Sequence, residues 1–200
     1  MGNGTVFRRQ YNTEVKYGII RQKKKEEQKE EVQKKENAVA TEVSDKYLMY
    51  RQQILDATSQ DINITLNRDD QIYIAVFDIP DESGVVGLNT KTLGLVFSLN
   101  TNLYFANGMV WAGLESNPAV MEAMMSLMVS AAQVLDKMQP VNRTDYYNSK
   151  NVRVYLKTRT GTHFKELDPK VREDAFLLML MNRVISAIAD TPKDTFRIVV

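Results

Sequence analysis

Residues 72–77 read IYIAVF, a run in which every residue except Ala75 is β-branched or aromatic. Such a run is typical of a strand that is buried in a sheet. The residues that follow, DIPDESG at 78–84, contain proline, aspartate and glycine and therefore predict a turn. On either side, INITL at 62–66 alternates apolar with polar residues and predicts a half-buried strand, and LGLVFSL at 93–99 predicts another strand. We therefore expect a β-sheet in the middle of the chain.

Three later stretches are expected to add strands. LYFANGMVWAG at 103–113 carries Asn107-Gly108 between apolar runs, and this dipeptide predicts a hairpin with a type I′ turn. VRVYLK at 152–157 and FRIVV at 196–200 predict two more strands. The last of these should pair at a sheet edge or add to the sheet of a neighbouring subunit.

Two apolar helices are predicted among the strands. Ser116-Asn117-Pro118 supplies a capping side chain and a proline for the first turn, so a helix should run from 118 to about 138. A second helix should begin at Asp168-Pro169 and end near residue 190. Because strands and helices are partly segregated along the chain, we expect an α+β fold. It would have a long N-terminal helix, followed by a mixed or antiparallel sheet with two buried apolar helices.

The N-terminal part of the chain has a different composition. Residues 21–36, RQKKKEEQKEEVQKKE, contain one apolar residue in sixteen, and helix-favouring residues dominate from 13 to 59. This predicts one long helix, or two helices that share a bend. Six of its residues fall at spacings that place them on one helical stripe: Val32, Val39, Val43, Tyr47, Tyr50 and Ile54. We therefore divide the chain into a basic N-terminal arm and charged helix (1–36) and an α+β oligomerisation domain (37–200).

Positive charge is concentrated near the N-terminus, although the formal net charge of the chain is only +1. Residues 8–25 contain Glu14 as their one acidic side chain, and seven basic ones: Arg8, Arg9, Lys16, Arg21, Lys23, Lys24 and Lys25. Such a cluster suits the phosphates of DNA or RNA, which makes a nucleic-acid-binding adaptor the first alternative function. Binding of this kind weakens steeply with salt, because neutralised phosphates release counterions.

The sequence offers little for catalysis. It has no cysteine and a single histidine, His163, which excludes thiolate sites and histidine-rich metal sites. It also lacks a nucleophile elbow and a phosphate loop, so we expect a non-enzymatic protein without a cofactor. The second alternative is a small metal- or ligand-binding domain that uses three carboxylates of the 78–84 loop, Asp78, Asp81 and Glu82, although a solvated turn explains them as well.

Aromatic and basic residues interleave around residue 150: Arg143, Tyr146, Tyr147, Lys150, Arg153 and Tyr155. They suit a stacking surface for single-stranded nucleic acid, but we favour an ordinary loop followed by an amphipathic strand. The N-terminus has no apolar segment typical of a secretion signal. The apolar stretch 118–138 contains charged residues, so we expect no membrane-spanning segment.

The predicted helix at 118–138 is apolar around most of its circumference and contains Met121, Met125 and Met128. A helix of this kind must be covered on two sides. Methionine fills irregular gaps in cores and also serves adaptable interfaces. We therefore expect these residues to lie either in an internal core or in contact with another subunit.

The organisation of the chain, with its N-terminal arm, the Lys/Glu-rich helix at 21–36 and the strand-rich middle, resembles head-to-tail connector or ring proteins of tailed phages. This resemblance implies a structural subunit that stacks as a ring between portal and tail. It implies a place in the virion after assembly in the host cytoplasm, a second protein component as partner, and no cofactor. The expected partner-binding residues are the seven basic residues within 8–25, the apolar residues Val32, Val39 and Val43, and the methionines Met121, Met125 and Met128.

Overall fold

A computed structural model describes residues 43–80, 90–97 and 99–200 of the chain. They belong to one compact unit, Glu42–Val200, which we describe by itself. The predicted N-terminal helix up to residue 42 and the predicted domain boundary after residue 36 lie outside the described residues. The same holds for nine expected partner-binding residues: Arg8, Arg9, Lys16, Arg21, Lys23, Lys24, Lys25, Val32 and Val39.

The described strands form one eight-stranded antiparallel sheet in the order β5-β7-β6-β1-β2-β3-β4-β8. Their bounds are β1 Ile74–Ile79, β2 Lys91–Val96, β3 Asn100–Phe105, β4 Val110–Ala112, β5 Gln139–Val141, β6 Arg153–Thr158, β7 Gly161–Glu166 and β8 Arg197–Val199. At one edge, β5 carries Pro140 opposite His163 of β7. At the other edge, the three residues of β8 are exposed. The prediction of an α+β fold with a mixed or antiparallel sheet is confirmed, and the sheet is antiparallel.

The strand β1 lies in the interior of this sheet, between β6 and β2, and all six of its residues are buried. Ala75 and Phe77 belong to the core on one face of the sheet, whereas Ile74 and Val76 belong to the core on the other face. Because both faces of β1 are covered, residues 74–77 form a continuous apolar run that does not alternate with polar residues, and the buried Asp78 ends this run.

Two helices cover the first face of the sheet. Helix α2, Pro118–Ser130, is capped by the side chain of Asn117, which accepts a hydrogen bond from the backbone of Ala119 at 2.9 Å. A 3₁₀ segment, Ala131–Lys137, continues it, so the predicted helix to about 138 is α-helical only in its first part. Helix α3, Arg172–Ala189, packs beside α2. The inward-facing residues of both helices contact the sheet core: Val120, Met124, Leu127, Leu177, Leu180 and Val184.

A third helix, α1 (Asp45–Asp56), covers the second face of the sheet. Ser44 caps it, accepting a hydrogen bond from the backbone of Tyr47 at 3.2 Å. Tyr47 and Ile54 are buried against the strands, and Val43 and Tyr50 pack around them. The described part of the predicted apolar stripe therefore contacts the sheet. The helix ends at Asp56, three residues earlier than the predicted end at residue 59.

The strand predicted at 62–66 is wrong, because this segment forms turns. Backbone amides of Asn63 and Ile64 donate to carbonyls of Gln60 and Ser59, and Asn63 has a φ of 54°. Ile62, Ile64 and Leu66 are still partly buried against the core beneath α1. The alternation therefore reflects a segment with one buried side, although this segment lacks a neighbouring strand among the described residues.

The predicted β3–β4 hairpin is present, but its type I′ turn is wrong. Gly108 has a φ of 88°, whereas Asn107 does not have the positive φ that a type I′ turn also requires. The amide of Gly108 donates to the carbonyl of Phe105 at 2.8 Å, and the amide of Phe105 donates to the carbonyl of Met109 at 2.9 Å. This is a three-residue loop that ends in a left-handed glycine.

Gly94 of β2 allows α1 to approach the sheet closely. A Cβ atom at this position would lie 2.6 Å from Cδ1 of Ile54 and 2.9 Å from Cε2 of Tyr104. We therefore expect Gly94→Ala to lower the free energy of unfolding by about 1–3 kcal/mol, measured by urea denaturation. Ile54→Val removes the nearer methyl group, so the double variant should lose less stability than the sum of the two single variants. Strict additivity would contradict this contact.

Candidate interaction surface

Asp78 of β1 is the centre of a cluster of three buried charged side chains. Its carboxylate accepts hydrogen bonds from Nε and Nη2 of Arg51 in α1, at 2.7–3.0 Å, and pairs with Nη2 of Arg153 in β6 at 3.1 Å. The side chains of Arg51 and Asp78 are 1% exposed and that of Arg153 is 2% exposed. One carboxylate thus joins two guanidinium groups that come from different elements.

Polar and aromatic groups enclose this ionic cluster. The hydroxyl of Thr92 in β2 donates its one proton to Oδ1 of Asp78 at 2.7 Å. The Thr92 oxygen therefore accepts the hydrogen bond that joins it to the hydroxyl of Tyr47 at 2.6 Å. Burial and the nearby charge of Asp78 raise the pKa of Tyr47 above its usual range. Burial alone lowers the pKa of Arg51, but the hydrogen bonds and charge of Asp78 outweigh this effect and raise it. Both groups therefore stay protonated.

The loop before β6 covers the cluster. The carbonyl of Thr144 accepts a hydrogen bond from Nη1 of Arg51 at 2.7 Å. The rings of Tyr146 and Tyr147 lie 4.9 and 4.2 Å from the guanidinium carbon of Arg153. Such stacking compensates part of the cost of burying the second cation.

The structure brings together several aromatic and basic residues that the sequence suggested as a stacking surface, but it places them against one another. Tyr155 and Arg153 are buried, and Tyr146 is partly buried between them and α1. Arg143 and Lys150 are exposed and lie in the loop. The face of Arg153 is therefore already occupied by tyrosine rings, and a nucleic-acid base cannot stack there without displacing them.

The second alternative, a cation site in the 78–84 loop, required Asp78 as one of three ligands, and Asp78 is engaged elsewhere. The oxygens of Asp78 are taken up by Arg51, Arg153 and Thr92. Asp81 and Glu82 lie outside the described residues. Across residues 43–80, 90–97 and 99–200, no group of three or more histidine, aspartate or glutamate side chains is arranged to hold a metal ion.

Two lysines also join elements through buried contacts. Nζ of Lys157 in β6 donates to the carbonyls of Leu55 and Ala57 at the end of α1, the latter at 2.6 Å. Burial lowers the pKa of Lys157, and the charges of nearby aspartates oppose this shift. Lys165 of β7 pairs with the buried Asp174 of α3 at 2.6 Å. Each of these contacts anchors a helix to the sheet.

An open concavity of the described part of the chain lies between α2 and α3. This α2–α3 groove has a volume of about 820 Å³. On α3, the residues that line it fall on a single helical stripe: Ala175, Leu178, Met179, Asn182, Arg183, Ser186 and Ala187. On α2, it is lined by Ala119, Glu122 and Ala123.

Apolar and small side chains dominate the groove. Met179 is 49% exposed, although it lies within the run AFLLMLM that the sequence marks as apolar. Its neighbours Leu177, Leu180 and Met181 are buried in the core. The apolar run 175–181, together with 118–138, indicates that part of this helix surface meets another subunit, but none of the expected partner-binding residues lies on α3.

The expected partner-binding residues of the described part have different positions. Met128 is 1% exposed and is a core residue on the sheet-facing side of α2, so we exclude it from the candidate surface. Met121 and Met125 are partly buried and pack against the same core. Val43 is partly buried beside α1, on the opposite face of the sheet. None of these residues lines the α2–α3 groove.

The groove carries one acidic and one basic side chain. Glu122 of α2 and Arg183 of α3 are both exposed. Neither forms an ion pair with another described residue. The groove therefore has an apolar floor and charges of both signs that remain available to a partner.

The segment Pro118–Lys137, which contains α2, is apolar enough by length and composition to cross a membrane, with a mean hydropathy of 1.4. The expectation of no membrane-spanning segment stays a prediction, because this criterion uses length and composition only. Core helices pass the same test, and Val120, Met124 and Leu127 of this segment belong to the core of the unit.

Comparison with known proteins finds no matching family model, no matching curated protein and no matching solved structure.

The ionic cluster should be essential to the unit. Asp78→Asn leaves two buried guanidinium groups without a counter-charge, so we expect the free energy of unfolding to fall by about 3–5 kcal/mol. Urea denaturation of the full chain measures this change. Asp136→Asn is the matched control, because Asp136 pairs with Lys137 on the surface and its loss should leave the unfolding midpoint unchanged. Equal effects of the two substitutions would contradict the role of Asp78.

Proposed function

We propose that this chain is a non-enzymatic structural subunit of a symmetric homo-oligomeric assembly. The setting we propose is a ring or connector in the head–tail region of a tailed phage, assembled in the host cytoplasm. The proposal of a phage setting comes from the sequence organisation, in which a basic arm and a charged helix precede an α+β body. The arm would contact a second protein component.

One observation carries the proposal: the α2–α3 groove leaves apolar side chains uncovered. Leu178 and Met179 project from α3 beside Ala175 and Ala123, and about half of the Met179 surface is in contact with solvent. Burying apolar surface contributes about 25 cal/mol per Å², so covering such a face favours association. An exposed apolar patch with charged residues near it is typical of a protein–protein contact.

The buried polar groups also favour a structural role. Arg51, Asp78 and Arg153 engage one another, and Lys165 engages Asp174. These contacts join α1, β1, β6, β7 and α3, so the ionisable groups of the interior stabilise the unit and hold the outer helices in fixed positions. A rigid, preformed surface loses little conformational entropy on association.

Self-association can be measured as native mass. Mass photometry and sedimentation velocity of the full chain should show multiples of the 22.9 kDa protomer that become more populated with concentration. Negative-stain microscopy of the largest species should show closed particles, because symmetric assemblies close. Nuclease treatment should leave the mass unchanged, which separates this function from the nucleic-acid adaptor. A 22.9 kDa species at every concentration up to the solubility limit would contradict the proposal.

A further inference from the structure

We infer that the α2–α3 groove docks the same face of a second copy of this chain, related by a two-fold axis. The inference rests on the proposed function and names one contact of the assembly. A two-fold contact closes at two copies, so a ring would join such pairs through a further contact. In the two-fold contact, the α3 ridge of each copy would lie in the α2–α3 groove of the other copy.

The shape of the groove suits a helix ridge. Its walls carry small residues, Ala119 and Ala123 on α2 and Ala175 on α3, so another helix can approach closely. Leu178 and Met179 form the apolar part of the α3 ridge. Helices pack by inserting ridges of side chains into grooves, and two facing helix pairs then form a four-helix layer. A volume of about 820 Å³ leaves room for several such side chains.

The charges of the groove favour a second copy as its occupant. Glu122 and Arg183 give the groove one negative and one positive charge, with no ion pair to other described residues. In a two-fold contact, every contact between two different residues occurs twice, so Glu122 of each copy can pair with Arg183 of the other. Both charges would then be neutralised on both sides.

Nucleic acid is a poor fit to the same surface. Binding to a phosphate backbone requires an excess of positive charge, and the formal charges of Glu122 and Arg183 cancel. Most of the lining, which includes Leu178, Met179 and the alanines, offers no side-chain hydrogen-bond donor to phosphate oxygens. A charge-balanced apolar groove is complementary to another charge-balanced apolar face.

Charge reversal tests the two-fold pairing. Glu122→Arg or Arg183→Glu places like charges against each other twice per contact, so each should weaken association of the full chain about tenfold. The double variant exchanges the two charges and should restore association to near the original value. If both single variants weaken association and the double variant does not recover, the groove is not packed against itself and the inference is overturned.

The apolar part of the contact can be tested with a matched pair of methionines. Met179, in the groove, is 49% exposed, and Met49, on α1, is 47% exposed. Met179→Glu should weaken association at least tenfold, because it places a charge in the apolar contact, whereas Met49→Glu should not change it. Thermal unfolding followed by circular dichroism checks that each variant is folded. If a charge-reversal variant does not fold, Glu122→Gln or Arg183→Gln replaces it. Each of these neutral variants should weaken association severalfold.

The outcomes separate this inference from the proposed function. If the unaltered chain is monomeric at every concentration, both the function and the inference fail. If the chain associates and Met179→Glu leaves that association unchanged, the assembly stands but uses another surface, such as the exposed strand β8, and the inference fails alone. Weakening by Met179→Glu together with recovery in the charge-swapped variant is the result expected from the two-fold contact.

Discussion

The pairing of Asp78 with Arg51 and Arg153 is the interaction on which the rest of the unit depends. A buried carboxylate is stable only when its charge is compensated, and here the compensation comes from a helix on one side and a neighbouring strand on the other. Thr92 and Tyr47 extend the network to β2 and back to α1. The position of α1 on the sheet is therefore fixed by direction-dependent hydrogen bonds in addition to apolar contacts, which by themselves have no preferred direction.

The sequence predicted the parts of the fold that follow from local patterns. The run IYIAVF indicated a buried strand, and Asn117 with Pro118 indicated the start of α2, because capping and burial leave local marks. The strand predicted at 62–66 failed because a strand needs a neighbour, which no local pattern supplies. Asp78 sits beside Pro80 and two more acidic residues, and so it was read as part of a solvated turn. Its arginine partners lie far away along the chain, and proximity of that kind is decided by the tertiary fold.

The candidate surface was predictable only in part. When a helix is apolar around most of its circumference, its sequence indicates that two sides must be covered, but it does not indicate which side packs on the sheet. Met128 was therefore assigned to a partner surface although it lies in the core, and Met179 was passed over although half of it is exposed. Which side of α2 and α3 is buried depends on the position of the sheet. Each of the two faces of the sheet is covered by its own helix layer.

The two edge strands of the sheet, β5 and β8, differ in whether a further strand can pair with them. At the β5 end, the nitrogen of Pro140 carries no hydrogen, so the ladder of backbone hydrogen bonds cannot continue there in a regular way. At the β8 end, Ile198 and Val199 are exposed on a strand of three residues. Growth by strand addition is thus open in one direction only. Two copies joined through β8 would each present a proline-bearing end to the outside, and such a pair would stop there instead of propagating into a fibril.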